Sequence, residues 1–208
     1  MKYIFTIGHS NHSMERFLEL LCSQGTEAVI DVRSAPYSRY CPQYNKDALE
    51  KSLKSRGIEY TFLGRELGAR RNEENCYVDG QVKFELIARL PIFQEGLKLV
   101  INEIEKHKAA LMCAEAEPLD CHRTILVCRQ LKKIHPDLQI THILGDGTTE
   151  THEETIQRLV RLHKLQKELF GEVTSNIDLI EKAYDLQEEK MAYSFFKLRG
   201  TAPRNYFE

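Results

Sequence analysis

Cys113, Glu115, Cys121, His122 and Arg123 lie within one stretch, AALMCAEAEPLDCHRTILVCR, between residues 109 and 129. Either thiol, Cys113 or Cys121, has the chemistry of a nucleophile, and His122 or His9 that of its acid or base. Glu115 offers a second proton acceptor, in which case the cysteines only line the site. Arg33, Arg39 and Arg123 have the planar fork that suits a carboxylate or phosphate. His9 and Ser10 follow an early strand, and Asp31 stands where it could orient Arg33 or a histidine. Each residue also has a plainer reading. Cys113 and Cys128 are small buried hydrophobes by type, Glu115 and Glu117 loop carboxylates, Arg39 a surface charge and Asp31 a turn residue. The concentration of reactive types in CAEAEPLDCHR is what argues for chemistry.

Those residues need elements to hold them. Residues 109–112 form an apolar run that reads as a buried strand, and Glu115, Glu117, Pro118 and Asp120 break it. Ile125 with Cys128, and Val127 with Leu131 and Ile134, then recur at helical spacing. Asp120 is the expected N-cap, which puts Cys121, His122 and Arg123 in a first turn whose N–H groups and dipole favour an anion or thiolate. Upstream, residues 3–7, 28–32 and 58–63 read as strands. Helices follow the first two of these, one carrying Met14, Phe17, Leu18 and Leu21, capped by Ser13 and stopped at Gly25, the other running from Asn45 to Gly57. Residues 64–81 have no periodicity and read as a mobile lid over the site. A short helix at 84–90 and an amphipathic one carrying Phe93, Leu97, Val100, Ile101 and Ile104 lead back to residue 109. Residues 138–144, with His142, form the last strand. Thr151 and Glu154 form a capping box for a helix to about Phe170. Ser175 opens another with Ile177, Ile180 and Tyr184 on one face, and residues 199–208 read as a loosely held tail.

Strands alternating with helices imply an α/β fold: an open, mostly parallel sheet of about five strands, helices on both faces, and C-terminal helices. The sheet domain spans residues 1–147. Residues 148–208 are a helical extension packed on it or making a subunit contact. In such a sheet the strand-to-helix loops share the carboxyl edge, where ligands bind. That edge would gather His9, Ser10, Asp31, Arg33, Cys113, Glu115, Cys121, His122 and Arg123 around one crevice, with His142 and Asp146 beside it.

The 208 residues carry 29 basic and 31 acidic side chains, a net charge of -2, which argues against a general polyanion binder. No apolar run approaches the ~20 residues of a membrane span, and the first residues carry no signal-peptide pattern. The six cysteines are few, and at least Cys22 and Cys128 fall in helical patterns, so reduced thiols and a cytoplasmic location are expected.

TIGHSNHSMERFLELL, VIDVRSAPYSRYCPQYNKDAL, YTFLGRELGA and LMCAEAEPLDCHR resemble the motifs of the domain-of-unknown-function 488 family, and HILGDGTTETHEE resembles its C-terminal continuation. The resemblance implies a small α/β protein and brings no catalytic assignment. VIDVRS after an early strand, with Cys113 ending a later one, is also similar to the rhodanese-like sulfurtransferase layout. The loop after Cys113 departs from it by its length and by Glu115, Glu117 and Asp120, which disfavour a thiolate and a bound oxyanion. The Cys-x5-Arg spacing of cysteine phosphatases is absent.

The functional expectation is an enzyme, a transferase or hydrolase, acting on an anionic small molecule or nucleotide-like substrate; no cofactor is named by the sequence. Two alternatives lack catalysis. A metal site could use Cys113, Cys121, His122 and a distant His9 or His142, although Cys-x7-Cys-His is not a compact zinc pattern. A nucleic-acid surface could use Arg33, Tyr37, Arg39, Tyr40 and Tyr44 with Arg65, Arg70 and Arg71. Sulfur or phosphoryl transfer through Cys113 is a further alternative, and a homodimer is compatible with the C-terminal helices.

Overall fold

A computed structural model describes residues 2–165 and 175–199. Its apolar runs form strands β1 (Tyr3–Gly8), β2 (Ala28–Asp31) and β3 (Glu59–Phe62), a short hairpin of β4 (Tyr77–Val78) and β5 (Gln81–Val82), then β6 (Ala109–Cys113), β7 (Gln139–Ile143) and β8 (Thr149–Thr151). The main sheet has the order β3-β2-β6-β1-β7-β8. Its first five strands are parallel, and β8 runs antiparallel to β7 on the edge. The helices are α1 (Met14–Ser23), α2 (Lys46–Lys54), α3 (Gly64–Leu67), α4 (Phe84–Ala88), α5 (Pro91–Ile104), α6 (Arg129–Ile134), α7 (His152–Leu162) and α8 (Asn176–Arg199). A π-helical segment, Arg123–Cys128, runs directly into α6. No helix among the described residues is long and apolar enough to cross a membrane.

Strand alternation divides the core into two layers. Phe5, Ile7, Val29, Ala110 and Met112 pack with Phe17 and Leu21 of α1 and Leu49 and Leu53 of α2. Ile4, Ala28, Ile30, Leu111 and Cys113 face the other way, against α5, the π-helical segment, α7 and α8. The connections leaving neighbouring strands β1 and β6 therefore go to opposite faces. Their carboxyl ends form the topological switch point of the sheet, where open α/β sheets leave a crevice. Backbone bonds prolong the pairing past the strands, from His9 N–H to the Cys113 carbonyl and from Ser10 N–H to that of Ala114, both 2.9 Å.

Several local expectations hold. Ser13 accepts from Arg16 N–H at the start of α1, Gly25 adopts φ 63° after it, and Thr151 with Glu154 makes a reciprocal capping box. Others are corrected. Residues 64–81 are not a bare lid. They carry α3 and the hairpin and bury Leu67, Ala69, Arg71 and Cys76, because Arg71 ties the segment to the carbonyls of Arg65 and Glu66. Helix α7 stops at Leu162, with a positive φ at Lys164, rather than continuing toward Phe170, which lies outside the described residues, as does the tail at 200–208. Ile134 and Ile177 are exposed, whereas residues 121–128 are buried all round.

Candidate functional site

Cys113, the last residue of β6, points to the α5–α8 face and is buried. The chain then loops over Gly8, close enough that a Cβ on Gly8 would stand 1.8 Å from the Glu115 carbonyl oxygen. It passes through a 3-10 turn, Pro118–Asp120, before Cys121. The side chain that caps the following helix comes from Cys121, not Asp120. Cys121 is extended (φ -128°, ψ 136°), its carbonyl accepts from Thr124 and Ile125 N–H, and its Sγ accepts from Arg123 N–H at 3.4 Å. Asp120 is exposed, so Cys121 precedes the first helical turn instead of lying within it.

The result is a cluster around one carboxylate oxygen. Cys113 Sγ and Cys121 Sγ lie 3.0 and 3.1 Å from Glu115 Oε2, and Cys113 Sγ lies 3.6 Å from His122 Nδ1. His122 Nε2–H donates to the Val32 carbonyl at 3.0 Å, which turns the Nδ1 lone pair toward the thiols. Glu115 is exposed as a residue, yet its carboxylate is turned inward between the sulfurs. Arg123, wholly buried, donates to the carbonyls of Glu115 (2.6 Å) and Ala116 (3.2 Å) and to Thr6 Oγ1 (3.4 Å).

The cluster shares its protons unevenly. Burial, with Cys121 and Glu115 beside it, drives the Cys113 thiol well above the ordinary range. Burial also opposes ionisation of Cys121. The hydrogen bond from Cys113 and the charges of Arg123 and His122 outweigh it and set this thiol well below the ordinary range. One thiolate, on Cys121, is the arrangement these forces favour. Burial and the Cys121 charge push Glu115 upward. His122 is raised against its burial by the Cys121 hydrogen bond and charge. Cys128, deeper in the helix and without a charged partner strong enough to offset burial, is raised far from ionisation.

A second polar group lies on the opposite face of the sheet. Asp31 and Arg33, two residues apart, share that face. Arg33 Nε and Nη2 hold the Asp31 carboxylate at 2.7–3.2 Å, Nη2 also donates to the Tyr44 carbonyl, and Nη1 to His9 Nε2 at 3.2 Å. Tyr60 Oη donates to Asp31 at 2.9 Å. Burial lowers the His9 pKa to about 4, assisted by Arg33, so the ring is neutral, with Nδ1–H donating to the Ser10 carbonyl and its face stacked on Tyr44. Burial alone would lower Arg33, but the bonds and charge of Asp31 raise it.

The single crevice expected from the sequence is therefore two adjoining clusters divided by strand alternation. Cys113, Glu115, Cys121, His122 and Arg123 meet. His9, Asp31 and Arg33 meet separately, with Ser10 at φ 50° between the groups. Arg33 and Arg123 bind other parts of the chain and are braces in this conformation, not open clamps. Arg39 is exposed and joins neither group. Neither His9 nor His142 joins the thiols. Glu115 does, and the donor atoms of Cys113, Glu115, Cys121 and His122 all lie within 4.8 Å of one another. Asp146 caps its own turn through Thr148. Of the nucleic-acid surface, Arg33, Tyr44 and Arg71 are buried, while Tyr37, Arg39, Tyr40, Arg65 and Arg70 are exposed.

Sequence reasoning missed Tyr60 and a buried chain behind Arg123. Because Arg123 can only donate, Thr6 Oγ1 donates onward to His142 Nδ1 (2.7 Å), His142 Nε2–H to His152 Nδ1 (3.1 Å), and His152 Nε2–H to Tyr184 Oη of α8 (3.0 Å). The same helix grips the site's loop, since Gln187 Nε2 donates to the Leu119 carbonyl and to Asp120 Oδ1. The signal available was parity. Thr6 on β1 and His142 on β7 are paired in register, so they face the same side.

A family model described as "Domain of unknown function DUF488" matches residues 13–129, more than half of the chain. No curated protein and no solved structure matches.

Proposed function

The chain belongs to the domain of unknown function DUF488 family, and from its site we propose an enzyme, a hydrolase or transferase, that takes a small anionic substrate at the β1/β6 switch point. The observation that carries this reading is the position of Glu115. Its carboxylate comes from an exposed loop residue and sits among two thiols and an imidazole, above the helix start braced by Arg123. That is a receptor for an oxygen anion. A substrate carboxylate or phosphoryl oxygen can replace it when Glu115 swings out to solvent, and His122 with Cys121 then holds the proton the reaction needs.

Three further features support a working site over inert packing. A π-helical segment, a non-glycine residue at positive φ and strongly shifted ionisations all meet at the switch point. All six cysteines are free, which fits a cytoplasmic setting where thiols stay reduced. The test is amide shift mapping with short carboxylates and nucleoside monophosphates, paired with turnover of chromogenic phosphate and carboxylate esters. Shifts should centre on residues 8–10 and 113–123, and His122→Ala should cut turnover about 100-fold or more. Shifts confined to other surfaces, or turnover indifferent to His122, would overturn the reading.

A further inference from the structure

We propose that Cys113, Glu115, Cys121 and His122 bind one divalent transition-metal ion of the zinc class, with Glu115 as the exchangeable ligand. The inference deepens the enzymatic reading of the same site, reassigning His122 and Cys121 from holding a proton to holding the ion; it rests on that reading for catalytic meaning, while the metal itself is argued from the donor atoms.

Two sulfurs, one imidazole nitrogen and one carboxylate oxygen are the donor types that zinc takes in fourfold coordination. In a tetrahedron with metal–sulfur bonds of about 2.3 Å and metal–nitrogen bonds of about 2.0 Å, neighbouring donors stand roughly 3.5 Å apart. The Cys113 Sγ to His122 Nδ1 separation of 3.6 Å already has that value. The two sulfur–oxygen separations, 3.0 and 3.1 Å, are hydrogen-bond lengths, and they widen by about half an ångström when an ion replaces the shared protons. The imidazole is held as a ligand is held. Its Nε2–H is fixed to the Val32 carbonyl, so Nδ1 presents a lone pair to the sulfurs.

Charge points the same way. Deprotonated together, the two thiols and the carboxylate would repel one another in this crowded space, and Arg123 would offset only one of them. A divalent cation brings the group to neutrality with every donor deprotonated. Arg123 also fixes the loop itself, through the Glu115 and Ala116 carbonyls, so the Glu115 backbone is anchored while its side chain reaches inward from a residue that borders solvent. Glu115 is thus the ligand able to leave. An incoming anionic oxygen then keeps the charge balance, which ties the metal to the substrate class above. When bound, the ion supplies Lewis acidity at that position.

The test uses the full chain, reduced and stripped with a chelator, then titrated with Co2+ and back-titrated with Zn2+. Expected are the visible bands of tetrahedral cobalt, a thiolate-to-cobalt charge-transfer band in the ultraviolet, saturation at one equivalent and displacement by zinc. Cys121→Ser and Cys113→Ser should each remove about half the charge-transfer intensity and weaken binding beyond the 10–100-fold typical of supporting residues. Glu115→Gln should keep the sulfur band with weaker binding, and Cys128→Ser should leave the spectrum unchanged. Far-ultraviolet circular dichroism checks each fold. If a Cys113 variant fails to fold, Cys121→Ser and Glu115→Gln, read against the Cys128→Ser control, still decide. Weak octahedral binding without a sulfur band, or a spectrum indifferent to Cys121→Ser, overturns the proposal. A sulfur-bound metal in a protein that turns over no ester supports the metal site and counts against the enzyme. Anion-induced shifts at the same loop with no sulfur-bound metal overturn the metal and leave the enzyme standing.

Discussion

Arg123 carries more of the site than any other single side chain. It is wholly buried, and its guanidinium satisfies two carbonyls of the ligand loop and a hydroxyl on β1. A lysine has one nitrogen to place where Arg123 reaches three acceptors. Arg123→Met should cost about 3 kcal/mol in urea unfolding, because the acceptors lose their donor, and Arg123→Lys should recover only part of it. A loss below about 1 kcal/mol would show that the loop holds itself. At this scale the reactive types Cys113, Glu115, Cys121 and His122 were legible in the sequence from their crowding after an apolar run. The roles of Arg33 and Arg123 were not, since a guanidinium fork looks the same whether it awaits a substrate or holds its own backbone. For Arg33 the clue was present in Asp31, two residues earlier on the same strand face.

Elements place these groups through one close approach. The ligand loop crosses β1 at Gly8, where any Cβ would collide with the Glu115 carbonyl oxygen, a backbone atom with little room to move. Gly8→Ala should destabilise the fold by about 3 kcal/mol and lower metal affinity together, read by thermal melting and cobalt titration. Unchanged affinity in a folded Gly8→Ala protein would detach the loop's position from ligand geometry. The five parallel strands were readable because each is a short apolar run bounded by turn residues. β8 was not, since Thr149, Glu150 and Thr151 are polar edge residues without a pattern. The π-helical segment was also hidden, because residues buried on every side leave no amphipathic stripe to reveal the helix's pitch. The division into two clusters follows from counting parity along β2 and β6, which sharing a sheet edge does not supply.

Over the whole molecule, α8 and the sheet are joined to the site by a polar chain whose histidines must stay neutral. Burial lowers His152 to about 4 and His142 well below its ordinary value, and it lowers His9, in the separate Asp31–Arg33 group, to about 4 as well; all three start from 6.5 in the unfolded chain. Between pH 6.5 and 4 the unfolded chain therefore binds protons that the folded one refuses. Stability is complete above that window and falls as the pH drops through it, by on the order of 3 kcal/mol each for His9 and His152. Urea unfolding from about pH 7 to about pH 4.5 should show the decline, and His152→Gln should flatten it. A stability that rises on acidification would contradict the neutral relay. The measurement closest to the central claim is X-ray absorption on the zinc-loaded full chain. Two sulfurs near 2.3 Å and two nitrogen or oxygen neighbours near 2.0–2.1 Å are expected, falling to one sulfur in Cys121→Ser. A shell of nitrogen and oxygen alone, or one unaltered by that substitution, would contradict it.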